Sequence, residues 1–267
     1  MIALQPGPPG AFMQQLGTAL DREFGRPRAV LVISAHTTAN RPVALAAAQH
    51  EAIYDFGGFA PALYQLRYDA PGEPTLAEQV VQRLSQSGRP AQAAPQGGLD
   101  HGIWTVLRYL YPNADVPVVP LTLQTRLTPQ EQFELGQALG ELDDVLMLGT
   151  GSMTHNLRMA YDAMGRVPES QSYEQTEVAQ SREFRQWFVD RSAALDWPAL
   201  WDYRRQAPHG ALMHPTDEHL LPWYVAAGVG GAQTPPQRLH ASVSYGCLAM
   251  DAYGFGEGAT RLAKALR

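Results

Sequence analysis

The chain has 267 residues, 45% hydrophobic and 17% charged, enough apolar material for a sizeable core in one large domain or two small ones. Its 20 basic and 26 acidic side chains leave a net charge of −6 with no basic run, which argues against nucleic acid or an anionic membrane as partner. No apolar run reaches the ~18–20 residues of a membrane span, no signal-peptide pattern opens the chain, and the single cysteine, Cys247, excludes an internal disulfide framework or a cysteine-cluster zinc site.

A soluble, cytoplasmic globular protein is expected. In chain order, residues 29–34 (Ala-Val-Leu-Val-Ile-Ser) form an apolar, β-branched run, the pattern of a strand buried on both faces. Residues 74–84 place Leu76, Val80, Val81 and Leu84 at helical spacing, and residues 103–110 do the same with Ile103, Val106, Leu107 and Leu110. A strand is expected over 116–123, although its prolines are unusual there. A helix is expected over 130–142, a buried strand over 144–148, a long charged helix over 174–195 and strand character over 239–250. Residues 85–99 and 161–173 read as exposed loops. Alternating strands and helices predict a single α/β domain with a mainly parallel central sheet flanked by helices.

The chemistry is sought among eight histidines. His36 follows the strand 29–34 directly, and ligands of open α/β sheets bind outside the carboxyl ends of strands. His155 closes Gly149-Thr-Gly-Ser-Met-Thr-His155, where two glycines after a strand permit a sharp turn and close approach to a ligand. His219 lies near a helix start, with Thr216 as a candidate cap; Pro222 implies that the helix begins later or kinks. His214, five residues earlier, does not share a helical face with His219. His101 follows Asp100, a candidate N-cap for the helix at 103. His50, His209 and His240 have no comparable setting. Cys247 reads as a packed thiol, and the absence of a Gly-x-Ser-x-Gly elbow argues against a serine hydrolase. Three neutral imidazoles at one sheet edge would suit Fe(II) or Zn(II) with open positions, and a further histidine could move protons.

Taken together, six segments resemble the class III extradiol ring-cleavage dioxygenases, in particular the DOPA 4,5-dioxygenase-like branch. They are Ser34-Ala-His36; Tyr54-Asp-Phe-Gly-Gly-Phe59 with Leu63-Tyr64 and Tyr68-Asp-Ala-Pro-Gly72; Leu99-Asp-His-Gly-Ile-Trp104; Gly149-Thr-Gly-Ser-Met-Thr-His-Asn156; His214-Pro-Thr-Asp-Glu-His-Leu-Leu-Pro222; and Tyr245-Gly-Cys-Leu-Ala-Met-Asp-Ala-Tyr253. They occur in the family's order and cover nearly the whole chain.

The resemblance implies one catalytic domain over residues 1–267 with a metal site at the carboxyl ends of the strands. Fe(II) is expected for activity, and Zn(II) is expected to be able to occupy the site in isolated protein. By position, His36 and His219 match metal ligands. His155 matches the family's acid/base histidine, in some cases a further ligand, and His101 a histidine lining the substrate pocket. Tyr54, Asp55, Phe59 and Asp100 match its surroundings. The partners implied are a small, DOPA-like aromatic diol and O₂, with the protein a monomer or small homo-oligomer. The family opens with a strand and His-Gly-Ser/Ala-Pro, whose histidine is a ligand. Here Met1-Ile-Ala-Leu-Gln-Pro-Gly-Pro resembles the stretch just after that motif, and no histidine precedes His36. The expectation is either a start at an internal methionine or a chain lacking that ligand and strand. Two alternatives follow: a catalytically impaired relative, and a zinc hydrolase in which the same imidazoles activate water.

Overall fold

The computed structural model describes residues 3–140 and 142–267. Helix α1 (Gly7–Phe24) leads into β1 (Ala29–Thr38), β2 (Val43–Leu45), the short strands β3 (Gln49–His50) and β4 (Ala70–Pro71), and helix α2 (Pro74–Gln86). Next come β5 (Gln92–Ala94), α3 (His101–Leu110), β6 (Val118–Leu123), α4 (Pro129–Leu139), β7 (Val145–Thr150) and α5 (Leu157–Met164). The last third holds α6 (Ala179–Ala193), the short helices α7 (Trp197–Trp201), α8 (Tyr203–Gln206) and α9 (Gly210–Met213), then α10 (Leu221–Gly230). Short strands β8 (Gln237–His240), β9 (Val243–Ser244), β10 (Leu248–Ala249) and β11 (Ala252–Gly254) precede α11 (Ala259–Ala265).

The central sheet has the order β5-β2-β6-β1-β7. β1 runs parallel to β6 and β7, and β2 parallel to β5; the β2–β6 contact alone is antiparallel. β1 is buried from Ala29 to Ala35, as its uninterrupted apolar run requires. Its side chains alternate between two cores. Leu31 and Ile33 pack with α2, α4, α6 and α10, while Val30 and Val32 pack with α3 and with Leu16 and Leu20 of α1. The result is an α/β domain with a mainly parallel sheet flanked by helices.

Pro120 stands inside the central strand β6. Val30 N donates to Pro117 O, a register in which the even-numbered residues of β6 turn their N–H groups away from β1. The N–H that Pro120 lacks therefore faces β2, whose pairing with β6 is reduced to Ala44 and Leu121. That is why a proline is tolerated there.

Some elements differ from the sequence expectation. Helix α1 was not anticipated; Pro8 and Pro9 fall in its first turn, where a missing N–H costs nothing. The expected loop 85–99 contains the edge strand β5, and 161–173 contains the end of α5. The helical pattern 174–195 becomes helical only at Ala179, and the strand-like tail forms two-stranded pairs outside the main sheet.

Candidate functional site

β1 loses its regular pairing with β6 between Ile33 and Thr38, and His36 occupies that break at the strand's carboxyl end. Asp100, only 3% exposed, ties this end of β1 to the start of α3. Its Oδ1 accepts from Ser34 Oγ at 2.8 Å and caps α3 by accepting from Ile103 N at 3.1 Å. Its Oδ2 accepts from Thr37 Oγ1. Ser34 Oγ accepts from His36 N at 3.2 Å. Burial pushes the Asp100 carboxyl above its ordinary range, and these donors work against that.

His101 opens α3. Its backbone N donates to Asp55 Oδ1 at 2.9 Å, and its Nδ1 lies 3.0 Å from the same oxygen. Burial works against the Asp55 charge, but the His101 bonds outweigh it and hold the carboxyl below its usual range. With Nδ1 donating to Asp55, Nε2 of His101 carries the lone pair.

The loop after β7 carries His155. Ser152 N donates to His219 O at 2.9 Å, Met153 N to Ala249 O at 3.1 Å and His155 N to Met213 O at 2.9 Å. A Cβ at Gly151 would lie 2.1 Å from His219 O, so only glycine lets this loop lie against the His219 segment. His214, fully buried, braces the loop from behind with Nε2 2.8 Å from Met153 O.

His219 precedes α10, which starts at Leu221 with Pro222 in its first turn. Leu220 N and Leu221 N donate to Asp217 O at 2.9 and 3.1 Å, so the helix begins later than a Thr216 cap would place it. Thr216 Oγ1 instead donates to Glu218 Oε1 at 2.9 Å, and His219 Nδ1 lies 3.1 Å from that oxygen. The hydrogen bond from His219 holds the Glu218 carboxyl down at about 2.

These segments meet. The ring centroids of His36 and His101 are 4.0 Å apart, those of His36 and His219 5.0 Å, and His155 stacks on His219 at 3.3 Å. Two ligand groups result, His36–Asp55–His101 and His155–Glu218–His219, each with donor atoms within 4.8 Å of one another. Burial, reinforced by neighbouring imidazoles, lowers His36 to about 4 and His155 to about 3. Both rings are therefore neutral at pH 7. Imidazoles, two of them (His101 and His219) backed by carboxylates, are the donor set of a divalent transition metal.

All four rings line one cleft of about 900 Å³, together with Phe59. Tyr54, Asp55 and Asp100 are not among its lining residues. Tyr54 packs among Phe56, Tyr64 and Trp104 and donates its hydroxyl to Leu66 O. Asp55 touches the site through His101, and Asp100 lies beneath it. Of the remaining histidines, His50 is buried against Gly97 O, His209 contacts Glu183 and His240 stacks on Phe12. Cys247 is buried, and burial pushes its thiol up to about 11, consistent with a packed side chain.

Sequence reasoning missed Glu218 as the partner of His219, although the two are adjacent in the chain. It also missed the brace supplied by His214, and the cleft wall of Met164, Val167, Leu248 and Met250. The wall had no sequence signal, since its residues come from distant, apolar segments.

Comparison with known proteins supplies the remaining context. The family described as the catalytic LigB subunit of aromatic ring-opening dioxygenase matches residues 10–256. The chain is 35% identical over 233 residues to the 4,5-DOPA dioxygenase extradiol of Beta vulgaris, covering 86% of this chain and 83% of that protein. It is 31% identical over 240 residues to the 4,5-DOPA dioxygenase extradiol of Escherichia coli K12, covering 89% and 84%. The crystal structure of an uncharacterized Escherichia coli K12 protein superposes with a TM-score of 0.73 at 26% identity, over 92% of each chain. Across the four histidine-bearing segments and the sheet that aligns them, the chain belongs to the LigB family, the class III extradiol ring-cleavage dioxygenases.

Proposed function

We propose that the protein opens the ring of a catechol with O₂ in a metal-dependent reaction, with DOPA, the compound in the relatives' name, as the first substrate to test. The observation that carries this reading is the convergence of His36, His101, His155 and His219, from four separate segments, on one cleft. His36 and His219 are assigned as metal ligands, with His155 adjacent as acid/base. Fe(II), when bound, would supply chelation of both catechol oxygens and a path for electrons from the ring to O₂. Zn(II) suits the same imidazoles but has no redox chemistry.

The protein's own groups handle protons and orientation. Neutral His155 takes a proton from a catechol hydroxyl and returns it to a product oxygen. His101, steered by Asp55, presents Nε2 to the cleft side of the diol, and Phe59 gives the ring an apolar contact. Both atoms of O₂ are inserted at the C–C bond beside the diol, which becomes an aldehyde and a carboxylic acid. No other reductant is consumed. Tyr54 and Asp100 support the site from behind its lining rather than by contact with the ring. The reading is of one catalytic unit, acting in the cytoplasm as a monomer or small homo-oligomer; a buried free thiol suits a reducing compartment.

The test is oxygen uptake by Fe(II)-loaded protein with a panel of catechols including DOPA, with visible absorbance recorded for the yellow semialdehyde. His155→Ala is expected to retain metal and lose turnover by about 10²–10⁴-fold, whereas His219→Ala loses metal. Catechol cleavage at the parental rate by His155→Ala would remove its assigned role. An Fe(II)-loaded parent that cleaves no catechol would refute the reading.

A further inference from the structure

Five non-glycine residues among those described have positive φ, and of these Tyr245 alone lines the cleft. It opens the turn between β9 and β10 at φ 52°, a left-handed conformation that is costly for an aromatic residue and free for glycine. Such strain persists where the surroundings impose it, and it gathers at sites that need one side-chain direction. The surroundings impose it here. Tyr245 N donates to Ser172 O at 2.7 Å, and Val178 N to Gly246 O at 2.9 Å. A Cβ at Gly246 would lie 2.7 Å from Thr176 O, so the turn is clasped against the 172–178 segment. Fully buried Thr154 ties the same hairpin to the loop of His155. Its Oγ1 donates to Cys247 O at 2.7 Å and accepts from Ala249 N at 2.8 Å. Tyr245 is thereby fixed relative to His155.

The half-buried Tyr245 ring packs on Ala160, Cys247 and Leu248. Among the described residues, no partner holds its hydroxyl. Other hydroxyls of the lining are engaged or sealed: Ser152 Oγ donates to Thr154 O at 3.1 Å, and Oγ1 of Thr105 and of Thr150 are shut off from solvent. Burial pushes the Tyr245 phenol above 10, so it keeps its proton at pH 7 and donates. No lysine or arginine stands among the described lining residues, so an acceptor on a ligand is met by neutral donors.

Resting on the catechol reading above, we infer that Tyr245 is a specificity-determining residue whose hydroxyl donates to a carbonyl oxygen on the ring substituent of the catechol, a carboxylate or a carboxamide. The diol stays with the imidazoles, and the substituent reaches the β9–β10 turn.

Titration calorimetry tests this without turnover on the Zn(II)-loaded and the metal-free protein. The probes, similar in length, are 4-butylcatechol, 3-(3,4-dihydroxyphenyl)propionate and the corresponding propanamide. Tyr245→Phe removes the hydroxyl and keeps ring and backbone, so its melting temperature should match the parent's. It should weaken the propionate about 10–100-fold and the propanamide about threefold to tenfold, as loss of a charged and of a neutral hydrogen bond would. The butyl compound should change by less than about twofold. Whichever carbonyl probe the parent binds more tightly identifies the group it takes. Equal loss for all three probes, no loss for the two carbonyl compounds, or no binding of any probe overturns the inference. With Fe(II), the variant should raise KM for the propionate and leave kcat near parental, the mark of binding lost equally in ground and transition states. Oxygen uptake separates the two readings. Selective loss of affinity with no uptake by the Fe(II)-loaded parent upholds the Tyr245 contact and refutes ring opening. Uptake by the parent with carbonyl-probe affinities unmoved in Tyr245→Phe upholds ring opening and overturns the contact.

Discussion

Glu218 Oε1 accepts from both Thr216 and His219, so the imidazole is held in one tautomer with its Nε2 lone pair available. Glu218→Gln keeps the side chain's size but removes the charge that favours Nδ1–H. Metal affinity should fall about 10–100-fold, read by competition with a chromophoric chelator, while circular dichroism stays unchanged. An unaltered affinity would show that Glu218 does not orient its neighbour. His214 provides a pH test. Burial lowers it from 6.5 to about 4, so between those values the unfolded chain binds the extra proton. Stability should thus rise with pH from about 4 to 6.5, be flat above on this group's account, and fall as the solution is acidified through that window. The size is on the order of 3–4 kcal/mol, from a shift of 6.5 to about 4 at about 1.4 kcal/mol per pKa unit. Urea midpoints at pH 4.5 and 7 check it, and His214→Gln should remove this group's share, leaving the contributions of His36 and His155 over the same range. At this scale His36, His101, His155 and His219 were legible because residue type and position at element ends coincide. His214 was not, because its partner, Met153 O, is set by how two loops meet; Glu218 was not, because its bonds to the adjacent His219 and to Thr216 depend on how the backbone turns locally.

Helices α4 and α10 make a close contact, and α10 begins two residues after His219. A Cβ at Gly228 would lie 2.0 Å from Phe133 O, and one at Gly136 2.1 Å from Val225 O. Gly228→Ala must therefore push the helices apart, at about 1–3 kcal/mol for overpacking. Because α10 begins two residues after His219, the same variant should lower kcat more than it changes KM. Thermal melting and steady-state kinetics on one preparation test both effects. A lower Tm with parental kcat would mean that the Ser152 N–His219 O bond, rather than α10, fixes the histidine. The strands β1, β6 and β7 and the helices α2, α3 and α4 were readable from periodicity, since each has one dominant burial pattern. Helix α1 and strand β5 were not: a first turn of glycine and proline hides the former, and the latter is a three-residue edge held by β2 alone.

Across the whole molecule, one ion bound by His36 and His219 would link the carboxyl end of β1 to the start of α10. Zn(II) or Fe(II) at a hundredfold excess over its Kd should raise stability by about 2.7 kcal/mol. Removal by chelator should lower Tm and abolish oxygen uptake, and Fe(II) but not Zn(II) should restore the uptake. A Tm indifferent to both metals would exclude this linkage. The amino-acid sequence by itself determined the fold class, through buried β-branched runs alternating with amphipathic segments, and the identity of the chemical side chains, through motifs whose order survives unaligned reading. Only the tertiary structure decided which histidines meet, that Asp100 lies beneath the site instead of lining it, and that methionines and Leu248 form a wall of the cleft. Those facts depend on contacts between residues more than sixty positions apart, as between Ser34 and Asp100, and local periodicity carries no information about such distances.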